Sequence, residues 1–283
     1  MSATRIAIAA LLVLACACQA AAGGRAQVAG RDDLDGIGWL PSEVFDVGEG
    51  LPDPAVNAIA TLPNGQVWLG TMRGLARMNG ARIVPEAGPG DVLTHSILDL
   101  AATPRGNLFA SVEGDGVLLR EGGVWRSIGS PFGAERTQRL RVFVDGKRER
   151  VFATGAGVAE WTGDDWEHWP LPDALSGREI FDVAFEPGNA GYPSTLWVAS
   201  FGQGLYRCRD NAACVPVAID AAGPRSDEIR VLHLEARPDG SQALWVGMYG
   251  GGLARLQHGA WTRWHGANSA LPSDLVIDFE LVT

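Results

Sequence analysis

The sequence predicts an all-β fold, a β-propeller of four-stranded antiparallel blades. A phrase centred on an aromatic residue recurs five times along the chain, at spacings of 41 to 48 residues. Each recurrence divides into four short apolar runs separated by turn residues, and no stretch of twelve or more residues keeps a 3.6-residue period. Glycine, at 37 of 283 residues, is about twice as frequent as usual. Four hairpin-linked strands repeated every ~40–50 residues are typical of propeller blades.

The five repeats share an aromatic anchor in their second run and a glycine followed by an apolar residue in their third. The anchors are Trp68, Phe109, Phe152, Trp197 and Trp245. The glycine steps are Gly74-Leu75, Gly116-Val117, Gly157-Val158, Gly204-Leu205 and Gly252-Leu253. In the first repeat the predicted strands are Val56–Leu62, Gln66–Thr71, Leu75–Met78 and Ala81–Val84. Apolar runs divided by Asn-Gly, Asp-Gly and Gly-Gly predict hairpins.

The propeller is predicted to span residues 39–283. Its five complete blades are predicted at about residues 51–90, 91–131, 132–177, 178–228 and 229–269. Trp39–Asp46 predicts one outer strand before them, and residues 270–283 restart the repeat with a single inner strand. We therefore expect either five blades that close loosely with flanking strands or, preferentially, an incomplete ring from a longer propeller, because an unclosed ring leaves edge strands that favour aggregation.

Residues 1–22 predict a secretory signal peptide, and residues 23–38 predict a linker. Arg5 is followed by the apolar run Ile6–Ala17 and then by small residues. This run is too short to span a bilayer, which needs about 20 residues. We expect a periplasmic or secreted protein. The alternative is a lipoprotein, because the residues that end at Cys16 form a loose lipobox and acylation would tether the chain to a membrane.

Two cysteines, Cys208 and Cys214, follow the predicted signal peptide. An even pair in an oxidising compartment predicts a disulfide. The flanking residues are typical of a strand, a loop and a strand, and hairpin partners lie about 5 Å apart, close to the reach of a disulfide. A metal or redox pair is the alternative, but the CxxxxxC spacing and the lack of a nearby histidine weigh against it. We predict no metal and no cofactor.

The net charge argues against nucleic-acid binding, and the absence of catalytic motifs argues against an enzyme. The chain has 33 acidic and 23 basic residues and a net charge of −10, which argues against nucleic-acid binding because that requires a basic surface. It has no nucleophile elbow, His-Glu-x-x-His motif or phosphate-binding glycine loop, and its five histidines are scattered. Catalysis is therefore not expected. The alternative is a small secreted propeller enzyme of lyase or hydrolase type, since the fold does not exclude catalysis.

The repeats share a consensus of four motifs, which are in order Leu-Pro, Val-x-x-Ile, Pro-x-Gly-x-x-Trp-x-Gly-Thr and Gly-Leu-x-Arg-x-x-Gly. It is clearest at residues 51–80 and 238–256, and in blade 3 residues 156–160 replace the Gly-Leu-x-Arg core. This consensus resembles the two-component regulator propeller repeat, and the resemblance covers roughly residues 40–283. In that family the propellers form the periplasmic sensors of membrane-bound histidine kinases and diguanylate cyclases.

The resemblance implies ligand sensing or protein interaction without catalysis by the propeller. The chain would then be the N-terminal sensor part of a two-component or cyclic-di-GMP signalling receptor. Its partner would be a small ligand or another protein. Membrane association is expected only through a lipid anchor at Cys16 or through a C-terminal region outside this chain.

The loops between the second and third strands form the predicted binding surface. Loops on a rigid scaffold carry function, and these loops differ between repeats whereas the strands recur. The candidate ligand-contacting residues are Met72, Arg73, Glu113, Asp115, Phe201, Gln203, Met248 and Tyr249.

Three aspartates, Asp99, Asp182 and Asp278, hold equivalent places in the predicted first strands. First strands line the channel of a propeller, so these carboxylates would be placed to bind a cation. The preferred interpretation is that each accepts backbone N–H bonds from the neighbouring blade. His233 is assigned to the same place in blade 5, where a lone histidine predicts hydrogen-bonded structure.

Overall fold

The computed structural model describes residues 6–7, 44–88, 90, 92–133, 136–188, 193–209, 214–217, 226–237 and 241–281. In these residues the chain forms five four-stranded antiparallel sheets and one two-stranded pair. Each four-stranded sheet consists of four strands that are consecutive in sequence and lie side by side in that order. The five sheets confirm the five predicted blades. The helices of the described part are three short 3-10 segments at Val47–Glu49, Val92–Thr94 and Asp173–Leu175.

The strand bounds follow the four-run pattern of each repeat. Blade 1 has β2 Val56–Thr61, β3 Val67–Thr71, β4 Gly74–Asn79 and β5 Arg82–Pro85. Blade 2 has β6 Ile97–Ala102, β7 Leu108–Val112, β8 Gly116–Glu121 and β9 Val124–Ser127. Blade 3 has β10 Arg139–Asp145, β11 Arg148–Thr154, β12 Val158–Trp161 and β13 Trp166–His168. Blade 4 has β14 Ile180–Glu186, β15 Thr195–Ser200, β16 Gly204–Arg209 and β17 Val215–Pro216. Blade 5 has β18 Ile229–Ala236, β19 Gln242–Met248, β20 Gly252–Gln257 and β21 Ala260–Trp264. Outside the blades, β1 Ile6–Ala7 pairs with β22 Glu280–Leu281.

The second strands form the most buried part of the blades. Every residue of β7 and of β15 is buried, because blades 2 and 4 each pack both faces on neighbouring blades. Aromatic side chains bridge the interfaces between blades. Trp68 of blade 1 meets Trp125 of blade 2 edge-on at 5.9 Å between ring centres, and Phe152 of blade 3 stacks on Phe185 of blade 4 at 5.8 Å. Repetition of this packing holds the blades in a row.

The first strands of four blades contain a one-residue irregularity near their start. The pairing register with the second strand shifts by one residue there, and one residue has no direct partner. The residues left without a direct partner are Asn57, Leu98, Phe181 and Arg230. Such bulges bend the strand and re-aim side chains, and two of these side chains take part in the candidate site.

The two ends of the blade row are covered by flanking segments. Leu271, Val276 and Phe279 pack on the outer face of blade 5, while Phe45 and Leu51 pack on the outer face of blade 1. Among the described residues no strand ladder joins blade 5 to blade 1. Within these residues the blades are therefore not closed into a ring by hydrogen bonds, which fits both a loosely closed and an incomplete ring.

Only part of the flanking strands expected from the sequence is found in the described residues. Residues 44–46 of the predicted outer strand Trp39–Asp46 are not in a strand, and residues 39–43 lie outside the described residues. The restarted repeat at residues 270–283 pairs with blade 5 through the bridge between Tyr249 and Leu275, and its residues Glu280–Leu281 pair with β1. The predicted linker and Cys16 also lie outside the described residues, as does the predicted signal peptide apart from β1.

A disulfide joins Cys208 and Cys214 in blade 4, with the sulfur atoms 2.03 Å apart. Cys208 lies in β16, and Cys214 directly precedes β17. The bond therefore closes the hairpin between the third and fourth strands. Over the part of the chain that the structure describes, no helix has the length and apolarity that a membrane crossing requires.

Candidate functional site

The inner strands of blades 3, 4 and 5 meet at one fully buried carboxylate, that of Asp182. Arg141 of blade 3 donates from Nε and Nη2 to its two oxygens at 2.7 and 2.9 Å. The backbone N–H groups of Val183 and Leu232 donate to the same oxygens at 2.9 and 2.8 Å. These four donors replace the water that burial removes. Burial opposes the charge of Arg141, but the Asp182 carboxylate outweighs it and raises the pKa of the guanidinium. Asp182 therefore cross-links three blades.

Asp99 of blade 2 makes a related contact with blade 3. Its carboxylate accepts a hydrogen bond from the backbone N–H of Leu140 at 2.7 Å. Burial raises the pKa of Asp99, although the charges of Arg141 and Arg139 partly offset this effect. Asp99 and Asp182 thus each hold a backbone N–H of the next blade, as the preferred interpretation of the sequence predicted.

Asp278 lies in a different environment from the other two aspartates. Its side chain is 61% exposed, and its carboxylate lies 3.7 Å from the guanidinium of Arg139 on blade 3. Within the described ranges no three histidine, cysteine, aspartate or glutamate side chains are grouped as they would be around a metal ion.

The assignment of His233 to the place of the aspartates is wrong. His233 pairs with the anchor Trp245, whereas Asp182 pairs with the second residue after its anchor. The blade 5 counterpart of Asp182 is therefore Val231, which pairs with Gly247. A strand repeats its facing every two residues, so the apolar pattern alone does not distinguish registers that differ by two.

The predicted loop residues fall into three groups. Met72, Phe201 and Tyr249 are 54%, 42% and 48% exposed, and Gln203 is half-buried. Met248 is fully buried in the core between blades 4 and 5, because it is the last residue of β19. The structure therefore does not bring Met248 to the loop surface.

The charged members of the predicted set are engaged in local ion pairs. Arg73 lies 3.4 Å from the carboxylate of Asp53. Glu113 pairs with Arg136 at 3.8 Å, and Asp115 pairs with His95. These contacts tie each loop to the segment before its own blade or the next one, and do not gather the three residues into one group.

Two predicted residues, Phe201 and Tyr249, surround the guanidinium of Arg230 together with Phe181. The Cζ atom of Arg230 lies 4.1 Å from the ring centre of Phe181, 5.2 Å from that of Tyr249 and 5.9 Å from that of Phe201. Phe181 and Phe201 meet edge-on at 5.8 Å. The negative faces of aromatic rings stabilise a nearby cation. We call these four residues the mouth cluster.

The mouth cluster combines two local structures. Phe201 and Tyr249 directly follow the second strands of blades 4 and 5, whereas Phe181 and Arg230 are the bulge residues of the first strands. The sequence predicted the two loop residues as ligand contacts, but not the two bulge residues. The available signal was an aromatic and a cationic side chain at a place where blades 1 and 2 have asparagine and leucine.

Arg230 has hydrogen-bonding capacity that the protein does not use. Its Nε atom is buried and has no acceptor in the described part of the chain. No carboxylate of the described residues lies within ion-pair distance of its guanidinium. Because Nε is closed to solvent, an acceptor from outside would bond to the terminal Nη atoms of this uncompensated guanidinium.

A concavity of about 510 Å³ lies between blades 2 and 3, at the ends of the strands opposite to the mouth cluster. The turns between first and second strands line it. Its charged lining residues are Arg105, Arg126, Lys147, Arg148, Glu121 and Glu149, and Trp161 adds an aromatic wall. Arg105 and Arg148 lie 4.0 and 3.5 Å from Glu149 and Glu160 respectively, so carboxylates of the protein partly neutralise this groove.

No family model and no curated protein matches this chain. Solved structures do match it. The extracellular domain of the hybrid two-component system BT3049 from B. thetaiotaomicron is 15% identical, with a TM-score of 0.58 over 78% of this chain and 31% of that one. The chain has the β-propeller fold. The extracellular domains of hybrid two-component systems are thus similar to this chain in fold.

Two further propellers show how widely this architecture occurs. PorZ, a surface component of the type-IX secretion system of Porphyromonas gingivalis, is 14% identical, with a TM-score of 0.53 over 78% of this chain and 35% of PorZ. YCF48 bound to D1 peptide is also 14% identical, with a TM-score of 0.51 over 77% of this chain and 68% of YCF48. This propeller spans about a third of the length of the two-component and PorZ structures.

Proposed function

We propose that this chain is a non-catalytic sensor propeller of the periplasm or cell exterior, the ligand-recognising part of a two-component or cyclic-di-GMP signalling receptor. The mouth cluster is the observation that carries the proposal. It presents an uncompensated cation and exposed aromatic rings on the face where loops of adjacent blades meet. That combination of apolar walls and one directional polar group is typical of small-molecule sites.

The fold supports this role. Extracellular domains of hybrid two-component systems have the same architecture, and the repeat consensus resembles the corresponding sensor family. In such a receptor, a ligand at the loop face would bias the arrangement of adjacent blades, because the mouth cluster draws its residues from both blade 4 and blade 5.

The buried acids argue against an enzymatic role. A general acid or base needs a titratable group that is free to reach a substrate. Asp182 is held by four donors, Glu160 is held by Arg150, with Nε at 2.7 Å, and Glu235 is held by Trp245 and Arg237 at 2.8 and 2.6 Å. Each of these buried carboxylates already serves as a structural acceptor.

A thermal-shift screen of the purified chain against small metabolites and short peptides tests the proposal, with mass spectrometry of every recovered hit. A ligand at a hundred times its Kd stabilises a protein by about 2.7 kcal/mol, which for a chain of this size raises Tm by roughly 5–10 °C. We expect such a hit, recovered chemically unchanged. The shift should disappear in Tyr249→Ser and persist in Arg148→Ser, a control in the opposite groove.

Three results would contradict the proposal. A hit that is consumed indicates an enzyme. A shift that Arg148→Ser abolishes and Tyr249→Ser leaves intact places binding in the opposite groove. A complete absence of hits excludes small-molecule sensing by the classes screened.

A further inference from the structure

We propose that the mouth cluster binds a small monocarboxylate that carries a flat apolar group. The carboxylate would accept hydrogen bonds from Arg230, and the flat group would lie against Phe201 and Tyr249. The inference rests on the proposed function, because it names the ligand class for the same face of the propeller.

The guanidinium of Arg230 is positioned to bind a carboxylate. A guanidinium that lies over an aromatic ring uses its face, whereas its five N–H donors lie in its plane. Phe181, at 4.1 Å, and Tyr249, at 5.2 Å, therefore hold the cation without using its donors. Nε of Arg230 is buried and closed to solvent, so a carboxylate would accept its hydrogen bonds from the two terminal Nη atoms, which lie in the same plane. The planar fork of arginine matches the two oxygens of a carboxylate.

The rings around the cation supply the apolar part of the site. Phe201 and Tyr249 belong to adjacent blades and are 42% and 48% exposed. Leu275, 39% exposed, forms a backbone bridge with Tyr249 and extends the apolar rim. Exposed large apolar side chains grouped around a polar centre mark binding surfaces, and aromatic rings favour flat partners through offset or edge-on stacking.

The single positive charge limits the ligand charge. The mouth cluster offers one guanidinium, and the chain as a whole carries a net charge of −10. A phosphate dianion needs several donors or cations to replace its hydration, whereas a monocarboxylate needs one bidentate partner. Charge complementarity therefore favours a monoanion.

Benzoate is the probe, with benzamide as the neutral analogue and acetate as the analogue without a ring. Titrations of the full chain by calorimetry or NMR measure the three dissociation constants. Charge-assisted hydrogen bonds are roughly twice as strong as neutral ones. We therefore expect benzoate to bind about tenfold more tightly than benzamide, and more tightly than acetate by a similar factor.

Arg230→Gln is the decisive variant, and Arg255→Gln is its matched control. Arg255 also lies in blade 5, with Cζ 5.3 and 5.5 Å from the rings of Trp245 and Trp264, and its buried Nε also has no acceptor in the described residues. It is remote from the mouth cluster in the blade register. We expect Arg230→Gln to weaken benzoate binding about tenfold or more and to remove the preference over benzamide, whereas Arg255→Gln should preserve both.

Phe201→Ser and Tyr249→Ser test the apolar wall, and they carry the test alone if Arg230→Gln does not fold in a thermal melt. Each should weaken benzoate binding and leave acetate binding unchanged. No benzoate binding, equal affinities for benzoate and benzamide, or equal losses in Arg230→Gln and Arg255→Gln would overturn the inference. If the metabolite screen still yields a loop-face ligand that is not a carboxylate, the ligand class is wrong and the sensor function stands.

Discussion

Ile59 of blade 1 and Leu140 of blade 3 hold the same register position, yet Ile59 is 65% exposed and Leu140 only 1%. Each pairs with the residue that follows the aromatic anchor of its blade. Leu140 packs in the cluster between blades 2 and 3. Ile59 lies on the other face of blade 1, where the described apolar cluster contains residues of blade 1 and its flanking segment but of no other blade. The difference therefore reflects the open end of the blade row.

Lysine substitutions at these two positions measure that difference. Ile59→Lys should change the free energy of unfolding by no more than about 0.5 kcal/mol, as for other surface substitutions. Leu140→Lys should destabilise by more than about 4 kcal/mol, because it removes core packing and buries a charge. Urea unfolding checks both values, and equal losses would mean that Ile59 is covered in solution.

The part of the outer face of blade 1 that the flanking segment leaves exposed, around Ile59, also predicts self-association, because exposed apolar surface favours it. Size-exclusion chromatography with light scattering should show the wild-type chain forming oligomers as its concentration rises. Ile59→Lys should shift the distribution towards the monomer. A compact wild-type monomer at every concentration would show that five blades close in solution without a partner.

Asp182→Ala should be among the most destabilising substitutions in the inner strands. It leaves the guanidinium of Arg141 and the backbone N–H of Leu232 without their acceptor. Removal of one partner from a buried ion pair costs about 3–5 kcal/mol. Asp278→Ala is the control, since its exposed pair with Arg139 should contribute less than about 1 kcal/mol. Chemical denaturation that ranks the two variants equally would refute the cross-link.

Asp99 and Glu235 should give pH dependences of opposite sign. The pKa of Asp99 is raised by burial above its ordinary value of 3.8, so the folded chain binds this proton more readily and stability falls as pH rises from that value through the raised pKa. For Glu235, burial is outweighed by hydrogen bonds from Trp245 and Arg237, which lower its pKa below 4.5. Its stabilisation is present above 4.5 and is lost as pH falls through the lowered pKa.

Asp99→Asn and Glu235→Gln separate these two effects. Asp99→Asn should gain stability relative to wild type as pH rises through the raised pKa, whereas Glu235→Gln should lose its disadvantage as pH falls below 4.5. Urea melts between about pH 3 and 8 give the difference in unfolding free energy for each variant. Curves of the same sign would contradict the assigned pKa directions.

Trp245→Ala should destabilise the propeller more than Trp264→Ala. The side chain of Trp245 is buried and donates to Glu235 at 2.8 Å, so its removal creates a cavity and frees a buried acceptor, at about 3–5 kcal/mol. Trp264 stacks on it at 5.2 Å between ring centres but remains half-buried. Similar losses in unfolding free energy for the two variants would place them in equivalent environments.

The blades were predictable from the sequence because each strand repeats its own local signal. An anchor such as Trp68 and a step such as Gly74-Leu75 recur with fixed spacing, and hairpins are local structures. The roles of Asp99 and Asp182 also followed, since an acidic residue on a buried inner strand needs donors.

The mouth cluster was only half predictable. Phe201 and Tyr249 lie in variable loops, where a sequence comparison of the repeats directs attention. Phe181 and Arg230 lie inside strands, and their orientation depends on a bulge that pairing with the second strand imposes. Met248 shows the converse error, because strand β19 extends one residue into the predicted loop and buries this side chain.

Amide hydrogen exchange of the full chain, with and without the strongest ligand from the metabolite screen, tests the central claim most directly. If the loop face is the sensing surface, protection should increase at the segments that contain Phe201 and Tyr249 and at the starts of β14 and β18. The turns at residues 103–107 and 146–149, which line the opposite groove, should exchange as before. Protection confined to those turns, with none at the mouth cluster, would contradict the account.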